Sequence, residues 1–101
     1  MNPINVKGSQ EIITHEQVLR VIPSTATGKH WAFILKPTWD NLTLFAMECE
    51  LVDGELTAVA YASRLEYEHF GIADPSDLTE EIAEPVIRRL TTRMKTEGLV
   101  Q

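Results

Sequence analysis

Asp53-Gly54 restricts the fold of this chain more than any other pair of residues. It separates two stretches in which apolar and polar side chains alternate, residues 45–51 and 56–61. A two-residue hairpin turn needs positive φ angles, which glycine adopts freely and aspartate tolerates. The pair therefore predicts a β-hairpin with Val52 opposite Glu55. On one face Leu51 then meets Leu56, Cys49 meets Ala58, Met47 meets Ala60 and Phe45 meets Ala62. The other face pairs Glu50 with Thr57, Glu48 with Val59, Ala46 with Tyr61 and Leu44 with Ser63. A slip of one residue would exchange the faces. The apolar face is thus expected to point to the core and the mixed face to solvent.

The flanking sequence predicts helices. Thr14 and Gln17 have the spacing of a capping box, Ile13 and Val18 that of a hydrophobic staple, and Pro23 supplies a stop. Val18, Leu19 and Ile22 would line one side of this short helix. Residues 30–36 read as a first strand, 42–52 as a second and 55–65 as a third. Leu78, Ile82, Val86, Leu90 and Met94 recur every four residues, predicting a long amphipathic helix that ends at Gly98 and is kinked or split at Pro85. The predicted fold class is α+β: an α-β-β-β-α two-layer sandwich, with a three-stranded antiparallel sheet and both helices on one face. Residues 1–10 would form a flexible N-terminal arm and residues 11–101 a single α+β domain. Trp31, Phe33 and Leu35 are expected to point inward, over the small residues Ala58, Ala60 and Ala62.

Charge is segregated along the chain. The net is −6, made of +1 over residues 1–47, −10 over 48–84 and +3 over 85–101. An acidic protein is poorly suited to general nucleic-acid binding, which relies on cations against phosphates. The α-β-β-β-α order resembles that of double-stranded-RNA-binding domains. Those domains need cations at the start of the second helix, whereas Asp74, Asp77, Glu80, Glu81 and Glu84 stand there. A nucleic-acid role would fall instead to Arg88, Arg89, Arg93 and Lys95. No apolar run approaches the roughly 20 residues of a membrane span. The first residues lack the blocks of a signal peptide, and a solitary Cys49 implies a reducing cytoplasm.

No catalytic set emerges. Thr27-Gly28-Lys29 fails as a phosphate loop, because Pro23 stands where the first glycine belongs and His30 follows the lysine. His15, His30 and His69 lack metal-ligand spacing, and Cys49 belongs to the apolar face, where a thiol is inert. No metal or cofactor is expected. The sequence points to a small acidic regulator, inhibitor or adaptor that binds another protein, with a basic protein or a second copy of itself as the candidate partners. The expected contacts are Leu44, Glu48, Glu50, Val59 and Tyr61 on the sheet, with Asp77, Glu80, Glu81, Glu84, Arg89 and Arg93 on the helix. The rival reading is a small-molecule binder or minor enzyme with a pocket near Trp39, Tyr67, His69 and Phe70.

Overall fold

The computed structural model describes residues 4–8, 10–59 and 66–101. Its strands are β1 (Ile4–Val6), β2 (Ile12–Ile13), β3 (Val18–Pro23), β4 (Lys29–Thr38), β5 (Asn41–Val52), β6 (Glu55–Ala58) and β7 (Glu66–His69), followed by the helix α1 (Glu80–Thr96). Six strands run in the order β2-β1-β6-β5-β4-β3, and β7 pairs with the first half of β5. β1 is parallel to β6 and the remaining pairings are antiparallel. This mixed sheet corrects the expected three-stranded antiparallel sandwich.

Asp53 and Gly54 adopt φ of 54° and 81°, and the register from Val52↔Glu55 to Cys49↔Ala58 follows from the turn. The ladder then changes. Phe45 pairs with Tyr67 and Ala46 with Glu66, in place of the expected Ala62 and Tyr61. The strand expected over 55–65 ends at Ala58, and part of the segment expected as a connection is β7. Ala60, Tyr61, Ala62 and Ser63 themselves lie outside the described residues.

The first expected helix is a strand. Its capping box survives only as a 3-10 turn at His15–Gln17, where the Thr14 amide donates to Gln17 Oε1 at 3.0 Å. Two helical turns are too few to be stable alone. The branched Val18, Val21 and Ile22 favour a pleated surface, and β4 supplies the partner, with a bulge between Val18 and Arg20. At the other end of the chain, Ile4 and Val6 are buried strand residues, where a flexible arm was expected.

A short connection makes the sheet curl. Ile13 at one edge and Val18 at the other are five residues apart, a reach of at most about 18 Å. Six flat strands would hold their edges about 24 Å apart. The bend is held by an ion pair from Lys36 of β4 to Glu11 and by Gln17 Nε2 donating to the Leu35 carbonyl at 3.3 Å. The concave face buries Ile4, Val6, Ile13, Ala32, Ile34, Cys49 and Ala58.

α1 packs on the opposite, convex face. Val86, Ile87, Leu90 and Met94 cover Trp31, Phe33, Leu44 and Ala46. The mixed face expected to be open is therefore the one that receives the helix. Trp31 and Phe33 are buried as expected, but on this face rather than above Ala58. The helix begins at the cap Thr79, whose hydroxyl accepts from the Ile82 amide at 3.4 Å. It runs through Pro85 as one segment, so the expected split does not occur. It stops at Gly98, with φ of 77°, through Leu99 N–H to Met94 O and Gly98 N–H to Lys95 O bonds. The Leu99 carbonyl then accepts from Trp31 Nε1 at 3.2 Å and from the Thr25 amide at 3.0 Å. This latch fixes the largest core side chain to the end of the helix.

Candidate functional site

The β4–β5 hairpin ends in a turn with unusual chemistry. Thr38 pairs with Asn41, so Trp39 and Asp40 alone form the turn. Trp39 has a φ of 53° and is fully exposed. A left-handed backbone is an outlier for a bulky residue and costs on the order of 1–3 kcal/mol. Its surroundings hold the tip in place. The Asn41 side chain accepts from the Gly71 amide at 3.1 Å, the Leu42 amide donates to Ile72 O at 2.6 Å, and the Phe70 amide donates to Leu42 O at 3.0 Å.

The concave face continues beside this tip with Phe45, Tyr67 and His69. Phe45 and Tyr67 have ring centroids 6.2 Å apart, and Tyr67 meets the His69 ring edge-on at 5.6 Å. Tyr67 remains 52% exposed. Beneath them Thr38 Oγ1 lies 2.5 Å from Thr43 Oγ1, which lies 3.0 Å from His69 Nδ1. This hydrogen-bonded chain orients the imidazole. Among the described residues, the hydrogen-bond partner of the imidazole is the Thr43 hydroxyl and not a carboxylate. The expected pocket of Trp39, Tyr67, His69 and Phe70 does not assemble. Tyr67 and His69 alternate with Phe70, which packs against the helix-side core on the other face.

The expected sheet-face contacts are dispersed. Leu44 and Val59 are buried, Glu48 pairs with Lys29 at 3.4 Å, and Glu50 pairs with Lys7 at 3.9 Å. Tyr61 lies outside the described residues. On the helix side Asp77, Glu80 and Glu81 are exposed, whereas Glu84 is engaged by Arg20 through contacts of 3.0 and 3.5 Å. Arg89 and Arg93 approach Glu68 at 4.0 and 3.7 Å, and Arg93 also donates to the Tyr67 carbonyl at 2.6 Å. That bond caps a carbonyl of β7, which among the described residues pairs with β5 alone, and so discourages edge-to-edge association.

No protein family, curated protein or solved structure matches this chain. Burial pushes the Cys49 thiol up from an ordinary 9.0 to about 11, opposed by a hydrogen bond from Ala32 and reinforced by Glu48. A thiol in that state is not a nucleophile near neutral pH. Among the described residues, no group of three His, Cys, Asp or Glu side chains is placed to hold a metal, and no helix is long and apolar enough to cross a membrane. The sequence places a turn over residues 37–41, but a Trp-Asp pair lacks the glycine that would mark a left-handed residue at Trp39.

Proposed function

We propose that this chain is a small acidic protein-binding module, acting as a regulator, inhibitor or adaptor without catalysis, and that Trp39 is its anchor. The observation that carries the reading is a fully exposed tryptophan held in a strained backbone at a braced hairpin tip. Tryptophan is enriched among the residues that dominate binding energy, and strain is tolerated where a function selects the geometry. Tyr67 and His69 would extend the contact, and the exposed acids Asp77, Glu80 and Glu81 would favour a partner with basic groups. The unpaired, buried Cys49 suits a reducing cytoplasm.

The test separates binding from folding. Trp39→Gly relieves the backbone and should raise stability by about 1 kcal/mol, because glycine accepts positive φ without a Cβ penalty. The same change should abolish capture of partners from host lysate by immobilised protein, with Trp39→Phe retaining part of it. Equal recovery of the same proteins by wild type and Trp39→Gly would refute Trp39 as the anchor.

A further inference from the structure

We infer that the groove between α1 and β7 binds a phosphate-bearing small molecule. It has a volume of about 540 Å³ and is lined by Glu68, Pro85, Arg88, Arg89 and Thr92. That volume lies in the range of ligand sites, roughly 300–1,000 Å³. Arg88, Arg89 and Thr92 are one helical turn apart or adjacent, so their side chains reach one strip of surface. The Arg88 guanidinium has no hydrogen-bond or ion-pair partner among the described residues, and Arg89 is held only by the 4.0 Å approach to Glu68. The Thr92 hydroxyl is likewise unengaged, unlike those of Thr91 and Thr96, which bond back to the helix.

Two guanidinium forks and a hydroxyl offer more donors than the two oxygens of a carboxylate can accept. A phosphate monoester, with three terminal oxygens and close to two charges, matches them better. Pro85 supplies a second, independent observation. It is exposed and contributes nothing to the core, yet a proline inside a helix costs about 3 kcal/mol. Departures from local rules concentrate at functional sites, and its ring forms a flat apolar wall beside the arginines. Glu68 sets the affinity. Its carboxylate competes with an incoming oxyanion for Arg89 and Arg93.

The experiment is a ¹H–¹⁵N titration of the full chain with inorganic phosphate, with sodium chloride at matched ionic strength and with citrate as parallel arms. Phosphate should give saturable shifts confined to residues 68 and 85–93. The double variant Arg88→Ala, Arg89→Ala should weaken binding about tenfold or more. Replacing both arginines by lysine, which keeps the charge but removes the fork, should also weaken it. Glu68→Gln should tighten binding several-fold. Circular dichroism checks that each variant is folded. Shifts that chloride reproduces, unchanged binding by the folded double variant, or weaker binding by Glu68→Gln would overturn the proposal. Citrate binding as tightly as phosphate would overturn the choice of phosphate.

Discussion

The two hydrophobic cores of this protein lie on opposite faces of one sheet and are closed in different ways. The convex core is covered by α1, which is held by side-chain packing and by the latch at Leu99. The concave core is closed by the sheet itself, whose first strands bring their own backbone ladders. A helix can leave a sheet without breaking any sheet hydrogen bond, whereas a strand cannot. Local opening is therefore easier on the helix side. Amide exchange should show it, with α1 exchanging at a lower free energy than the paired centre of β4 and β5.

Truncations probe the comparison most strongly. Leu90→Ala in the convex core and Ile13→Ala in the concave core should each cost about 2–5 kcal/mol in denaturant unfolding. If either costs under about 1 kcal/mol, that core does not limit stability. Each core also carries its own reporter. In a Trp39→Phe background, Trp31 is the remaining indole and reads the helix side, while thiol labelling of Cys49 reads the strand side. Coincident midpoints would mean one cooperative unit, and separated midpoints two.

A smaller effect comes from alkaline pH. The folded protein holds the Cys49 thiol neutral up to about 11, against an ordinary 9.0. The folded state thus keeps a proton that the unfolded chain releases. Its stabilising effect is complete below pH 9 and is lost as pH rises towards 11. Cys49→Ala should flatten this decline, and a decline of unchanged slope would place its cause elsewhere. Trp31→Phe, which removes the indole donation to Leu99, should cost about 1 kcal/mol and loosen the end of α1. The smallest effect belongs to Arg20→Ala, below about 1 kcal/mol, because the partners of the Arg20–Glu84 pair are partly exposed.

These elements were unequally legible in the sequence. The Asp53-Gly54 turn and the Gly98 stop depend on neighbours in the chain, and both could be read directly. β3 depends on β4, so its capping box and apolar spacing could not reveal that a distant strand outcompetes two helical turns. The burial of the mixed face was hidden for a related reason. Alternation identifies which residues share a face, but not that Leu44 and Ala46 lie under a helix while Cys49 is enclosed by curl. Among the site residues, Glu48 and Glu50 share a face as read, yet Trp39 stands out only through a backbone angle. The groove arginines were visible, but Glu68 joined them only once β7 had formed against β5.

The parallel pairing of β1 with β6 has a kinetic consequence. It joins Asn5 to Thr57, residues roughly 50 positions apart, whereas the β4–β5 hairpin closes across two. The entropy of the longer loop must be spent before any contact rewards it. The concave side is therefore expected to complete its folding late, on a scaffold that the hairpin has already laid down. Ile4→Val should then mainly accelerate unfolding, with a φ-value near zero, while Ile34→Val should slow folding. A high φ-value at Ile4 would reverse that order of assembly.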